Sequence, residues 1–474
     1  MSSTARELTN RFSAAAQLDQ KRATFSPFKT QDQVSSLPWD SLRVLMHPQS
    51  SIQESVSQLV RFELQPYGYL HSITLEIEID GIHLGSGSKT VEKYCEGILA
   101  QLIDYCEIKT PSGVSLERLY GEGFAFMDIQ SDKFAPEKRK LLREMHNYIS
   151  DDLRVAQTSA NASASSLTTK TFMCTLPFWF THNSTTAMPV QFTSGHHTLE
   201  IALNDPSRCI DKSATQVRAQ GHPAFPLMGA QSSTAASSLA ATCKYKSAKI
   251  YLDYYHPLAA HGQMLANNIF SKPTIDYAAN DECLFRKTFS ATASAALTEY
   301  KIRLEGLRGF SSELMFYIVK TSLKDARTQF GSQNATTDSM GNYTVNAEPI
   351  TMLDFESGGK SMFGEEISHD HLKRIVQKHQ YGNTTEYSNN QLEIQANPHV
   401  YCWSWGLDGS KPWKNSGSVS LGNLANLTMK FQNVRTWSAN DQYELTIISR
   451  NRTHVRMVPD PSTRLVRFNV MKEG

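Results

Sequence analysis

The sequence predicts a mainly β chain made of two tandem β-rich halves, either sandwiches or jelly rolls, with short helical insertions. Three observations carry this reading. The 474 residues exceed one ordinary core, and two domains of roughly 200 residues are the natural division. Apolar residues alternate with polar ones in both halves at the period of half-buried strands. Between the halves lies a stretch with His222-Pro223, Phe225-Pro226 and the small-residue tract Gln231 to Ala241.

The elements follow in chain order. Thr4-x-x-Glu7 has the form of a capping box, and Leu8, Phe12, Ala15 and Leu18 fall on one helical face. The opposite face is polar and partly basic. This predicts an arm over residues 1–25 that docks on its own domain, on a neighbouring protein or on a membrane surface. Val60, Phe62 and Leu64 alternate, as do Ile73, Leu75, Ile77 and Ile79, until Gly81 and Gly85-Ser86-Gly87-Ser88 break the run. Residues 91–106 return to helical spacing. Lys138 to Leu153 predicts another helix, and the Ser/Ala/Thr-rich stretch Ala156 to Thr169 predicts a loop.

Leu176-Pro177-Phe178-Trp179-Phe180 crowds three aromatics behind a proline, which fixes φ and lacks a backbone donor. It reads as a stiff entry into a strand. Ala187-Met188-Pro189 is then a turn, and Thr198-Leu199-Glu200-Ile201 a further strand. The first domain is expected over 26–208, a connection over 209–242 and the second domain over 243–474. In the second half Ala248 to Asp253 is strand-like, and Glu313 to Val319 is apolar enough to be buried on both faces. Residues 331–346 form a long polar loop. Tyr401 to Trp405, Leu427 to Phe431, Tyr443 to Ile448 and Val455 to Val458 are late strands. The last two are expected to pair as a hairpin around Arg450-Asn451-Arg452.

Composition excludes several function classes. A net charge of +1 does not suit a protein that neutralises packaged nucleic acid. No apolar run is long enough for a membrane-spanning helix, and Met1 to Glu7 lacks the apolar segment of a secretory signal. Cys95, Cys106, Cys174, Cys209, Cys243, Cys283 and Cys402 show no CxxC spacing, so they read as small apolar residues of a reducing compartment.

Gly85-Ser86-Gly87-Ser88-Lys89-Thr90 lacks the spacing of a phosphate loop and reads as a turn. His369-Asp370-His371, near Glu365 and Glu366, falls at the start of a helical pattern over Ile367 to His379, where i and i+2 diverge, so no metal site is expected. His196-His197 has no third ligand close in sequence. Asn-x-Ser/Thr sequons at Asn161, Asn183, Asn334, Asn342, Asn383, Asn426 and Asn451 fit chance in an Asn-, Ser- and Thr-rich chain. Trp403, Trp405 and Trp413 beside Tyr401 suit core or interface packing better than a sugar platform.

Four ordered segments resemble the double jelly-roll major capsid proteins of eukaryotic double-stranded DNA viruses (large nucleocytoplasmic viruses, virophages and Polinton-like viruses). The first is the Leu176 to Phe180 block with Ala187-Met188-Pro189 and Leu199-Glu200-Ile201. The second, Lys249-Ile250-Tyr251-Leu252-Asp253, is similar to an early strand of the second roll. The third is Leu314 to Val319, preceded by Leu304-Glu305-Gly306-Leu307-Arg308-Gly309. The fourth is Tyr443 to Ile448 with Asn451 to Met457, which looks like the last two strands.

The resemblance implies two tandem eight-stranded jelly rolls. It also implies a homotrimer forming pseudo-hexagonal capsomers of an icosahedral shell, located in the virion after synthesis in the host cytoplasm or nucleus. Partners would be neighbouring capsomers, minor capsid and penton proteins, and, through the arm, an internal membrane. No sequence-specific nucleic acid, cofactor, metal or catalytic residue is implied. Leu176, Pro177, Phe178, Trp179, Phe180 and Pro189 become a structural landmark. The competing readings are a carbohydrate-binding or carbohydrate-active tandem β-sandwich, and a minor capsid or penton protein.

Overall fold

The alternation at Ile73, Leu75, Ile77 and Ile79 is realised as one long strand with all four side chains buried. The computed structural model describes residues 39–83, 92–94, 99, 102–124, 154–155, 170–181, 186–206, 210–211, 242–257, 259–291, 298–321, 350–368, 371–372, 401–406, 417–424, 426–433 and 441–472. The arm at 1–25, the helix at 138–153, the loops at 156–169 and 331–346, and most of the connection at 209–242 lie outside these residues, as does the glycine-rich turn at 85–90.

In chain order the first half contains β1 (Trp39–Met46), β2 (Gln58–Leu64), β3 (Tyr69–His83), β4 (Glu92–Tyr94), β5 (Ile103–Lys109), β6 (Ser115–Tyr120), the short helix α1 (Gly121–Phe124), β7 (Arg154–Val155), β8 (Lys170–Thr175), β9 (His197–Leu203), β10 (Ile210–Asp211) and β11 (Thr242–Pro257). Helix α2 (Ala259–Phe270) follows. The second half contains β12 (Ile275–Ser290), β13 (Glu299–Arg303), β14 (Phe310–Lys320), β15 (Ile350–Ser357), β16 (Lys360–Ser361), β17 (Ile367–Ser368), β18 (Tyr401–Ser404), β19 (Val419–Ser420), β20 (Thr428–Asn433), β21 (Gln442–Asp460) and β22 (Leu465–Lys472).

The same strand order occurs twice. In the first half β1-β11-β3-β8 form one sheet and β2-β9-β5-β6 the other. With the eight strands counted along the chain, these orders are first-eighth-third-sixth and second-seventh-fourth-fifth. In the second half β12-β21-β14-β18 and β13-β20-β15-β16 repeat both orders. This is the connectivity of a jelly roll, present in tandem. The small strands β4, β7 and β10 make a separate three-stranded sheet. The two rolls are joined edge to edge: β12 meets β6 in one parallel bridge, Asp281 with Arg118, which makes a continuous 10-stranded sheet.

Burial follows from that join. On β14, Leu314, Phe316 and Ile318 enter the core of the second roll, while Met315, Tyr317 and Val319 pack with the core of the first. On β21, Tyr443, Leu445 and Ile447 face the second core, and Ile448, Val455 and Met457 the first. A strand between two cores needs apolar residues on both faces, which is why Glu313 to Val319 reads as a nearly unbroken apolar run.

Five expectations are corrected. Lys249 to Asp253 does not open the second roll: β11 pairs with β1 along eight residues and with β3, both from the first half. A strand's local pattern says that it pairs, not with which partner. Residues 91–106 are not one helix; Leu99 and Leu102 are helical, but Ile103–Lys109 is a strand between β6 and β9. Ile367–Ser368 pairs with Leu353 and Met352 rather than starting a helix. Leu176 to Phe180 is a turn leaving β8, not a strand entry. Tyr443 to Val458 is no hairpin; it runs through Arg450-Asn451-Arg452 as one 19-residue strand.

Candidate functional site: the junction of the two rolls

Among the described residues, the place where β6 meets β12 gathers a cluster of buried charge: Glu117, Glu282, Glu313 and Arg450. Beyond the single Asp281–Arg118 bridge the two strands have no ladder partners for each other. Two carboxylates take the place of the missing ladder. Glu117 on β6 accepts the Asn280 N–H through Oε1 at 3.0 Å, and Glu282 on β12 accepts the Tyr120 N–H through Oε2 at 2.8 Å. The two staples are reciprocal, one on each side of the bridge. Each satisfies a backbone donor that would otherwise cost about 1–3 kcal/mol.

Glu117 also reaches the aromatic turn. Its Oε2 accepts the Trp179 N–H at 2.7 Å. The sequence marks this turn as a packing motif, and its residues are held from several sides. Leu176 N–H donates to Ile73 at 2.9 Å, and Leu70 and Met188 exchange both backbone hydrogen bonds at 2.8 Å. Leu176, Phe178, Trp179 and Phe180 are buried, as is Pro189, whereas Pro177 is half-buried. Phe178 stacks on Phe180 at 5.9 Å, and Trp179 meets Phe180 edge-on at 5.0 Å. One carboxylate therefore ties the turn, the last strand of one sheet and the first strand of the next roll.

Arg450 completes the junction. Its Nη2 donates to Glu282 Oε1 at 3.0 Å, and its Nη1 donates to Glu313 Oε1. The side chains of Arg450, Glu282 and Glu313 are 8%, 2% and 3% exposed. Ser449 Oγ donates to Asn451 Oδ1 at 2.9 Å and lies 3.0 Å from Ser311 Oγ. Gly309 has φ +87°, and a Cβ there would stand 3.2 Å from Asn451 Cγ, so the loop before β14 passes Asn451 only as glycine. With these partners on both sides, the polar run needs no turn.

Burial sets the electrostatics. It pushes the Glu117 carboxyl up to about 8, against the two amide donors and Arg450. It raises Glu282 as well, with Arg450 opposing, and lowers Arg452. Cys106 and Cys174 lie in the same core, and burial pushes Cys174 to about 12, which makes it an inert thiol.

The other sequence candidates lie apart. Trp403 and Trp405 pack on Phe363 and Phe355, with centroids 4.1 Å (Trp403–Phe363) and 6.1 Å (Trp405–Phe355) apart, so they form an aromatic cluster rather than an open platform. His196 is exposed, His197 is buried and His371 is exposed. His369, Asp370 and Trp413 lie outside the described residues. Among the described residues no group of three His, Cys, Asp or Glu gathers to hold a metal. The sequon at Asn451 sits inside β21 with its side chain buried, whereas Asn426 is exposed. Sequence reasoning missed Glu117, Glu282, Glu313 and Arg450; the only local signal was acidic residues inside otherwise apolar strands.

The outer sheet faces carry cross-strand ion pairs of both signs. Arg61, Glu200, Lys109, Glu107 and Arg118 link four strands of the first roll. Lys249–Glu76 and Lys246–Glu78 do the same on the other sheet.

No protein-family model and no curated sequence matches the chain. Solved structures do. The capsid of PBCV-1 superposes with a TM-score of 0.61 at 14% identity, over 93% of this chain and 98% of that one. The Faustovirus major capsid protein gives 0.57 at 8% identity over 95% and 98%, and the Sputnik virophage 0.58 at 11% over 93% and 90%. Strand order, the fused sheet and these superpositions agree: the chain has the double jelly-roll fold of viral major capsid proteins.

Proposed function

We propose that this chain is the major capsid protein of an icosahedral double-stranded DNA virus, assembling as a homotrimer into pseudo-hexagonal capsomers. One observation carries the reading. A single strand order is repeated in two rolls fused along one sheet, over nearly the whole length of capsid proteins with the same fold. Two similar rolls locked at a fixed angle give a trimer six similar lobes, and such a unit tiles a facet. The buried junction supports this by making the pair of rolls one stiff body.

In this reading the protein acts through its interfaces and resides in the virion, after synthesis in the host cytoplasm or nucleus. Its partners are other copies, minor capsid and penton proteins, and an internal membrane if the arm reaches one. The strand pairing supports a first roll that ends at Pro257 and a second that starts at Ile275, with α2 between them. The tract at 209–242 then precedes the last strand of the first roll. Removing residues 1–24 is expected to leave trimers but weaken shell assembly or attachment to inner layers.

Negative-stain imaging of the purified protein tests the proposal. Six-lobed, pseudo-hexagonal particles are expected. Single globular monomers at high concentration contradict it. The packing of Trp403 and Trp405 into an aromatic cluster weighs against the carbohydrate reading, which requires glycan binding that is lost in Trp405→Ala. A minor capsid or penton role requires low copy number in purified particles.

A further inference from the structure

The first strand-facing residue of β9 is a histidine with an unusual setting. His197 is 1% exposed, and neither ring nitrogen has a hydrogen-bond partner. Its ring meets Phe468 of β22 edge-on, with centroids 5.5 Å apart. β22 is the C-terminal strand. It folds back from the second roll, and Val466 bridges to Thr193 of the first. Val466 and Phe468 are both buried there. The C-terminal strand therefore closes over a neutral histidine.

We infer that His197 is a proton-sensitive clamp that holds β22 on the first roll and releases it when the medium is acidified. A proton on this ring creates a buried cation with two donors and no acceptor. Hydration then requires one of the covering elements to move. β9 is paired on both edges, with β2 and with β5. Among the described strands β22 pairs only with β21, so it is the element that lifts.

The surroundings do not offset the charge. Just before its strand, His196 opposes protonation. On β2, Glu63 lies 4.0 Å from His196, not from the buried ring. On β5, Lys109 is engaged by Glu200 and Glu107. On β22 the exposed Arg467 flanks Phe468. On β21, His454 stands across from Met471 and is the one histidine of the β21–β22 hairpin. Burial lowers His197 to about 4.

Hydrogen exchange on the full-length protein at pH 7 and pH 5, corrected for the intrinsic rate, tests the clamp. The opening constant of 465–472 is expected to rise about twentyfold on acidification, as follows from a group near 4 when closed and near 6.5 when open. Peptides from 442–448 should stay protected. His197→Phe abolishes the response, and His454→Gln retains it. Equal protection of β22 at both pH values, or an unchanged response in His197→Phe, overturns the proposal. Should His197→Phe fail to fold, ring NMR of the wild-type histidines decides. Opening that tracks His197 protonation supports the clamp, and opening that tracks any other group overturns it.

Discussion

Arg450→Met removes the guanidinium between two buried carboxylates while keeping most of the side chain's volume. Glu282 and Glu313 then lose that hydrogen-bonded partner at 2% and 3% side-chain exposure. Breaking a buried pair costs about 3–5 kcal/mol, because the stranded charge cannot be solvated. Two carboxylates lose this partner at once, so the upper half of that range applies. For a unit of 150–250 residues this corresponds to a melting temperature lower by about 10–15 °C. The sign of the pH dependence follows from burial. Burial already holds the Glu282 carboxyl above its unfolded value with Arg450 opposing, and removing Arg450 leaves that burial unopposed by its cation. Its neutral form is tolerated at low pH, and stability is lost as pH rises through the folded value. The deficit against wild type therefore grows from pH 5 to pH 8. Calorimetric melts across that range check it. Glu282→Gln and Glu313→Gln added to Arg450→Met restore most of the loss. A variant melting within about 2 °C of wild type at pH 7, or a deficit independent of pH, refutes the reasoning.

Three further outcomes follow from the same geometry. Glu117 is raised from 4.5 to about 8, so its contribution is full below 4.5 and lost as pH rises to 8; Glu117→Gln should flatten the fall in urea midpoint between pH 5 and pH 8. Trp179→Ala should cost about 3–5 kcal/mol, seen as a lower denaturation midpoint, since the ring is 2% exposed. Gly309→Ala forces a Cβ against Asn451 in a left-handed conformation and should lower stability by about 1–3 kcal/mol in the same assay.

Much of the fold is legible because half-buried strands announce themselves. Val60 to Leu64, Ile73 to Ile79 and Leu199 to Ile201 alternate, and Leu314 to Val319 shows burial on both faces. What escapes is everything decided by partners far along the chain. Arg450-Asn451-Arg452 looks like a polar turn, because the carboxylates that satisfy Arg450 lie 168 and 137 residues away. β11 looks like the opening of a second roll, because its apolar pattern is indifferent to whether β1 and β3 or later strands receive it. Leu99, Leu102, Ile103 and Cys106 have helical spacing, yet Cys106 and Ile108 are buried from a strand whose Glu107 is covered by Arg118 and Lys109. The Leu176 to Phe180 turn was visible as packing. Its tie to Glu117 was not, since a backbone amide leaves no mark in a sequence.

The most direct test of the capsid reading is the mass of the purified chain in solution, measured by light scattering over a concentration series. A stable species at three times the 53.1 kDa chain mass is predicted. A single-chain mass at every concentration would contradict it.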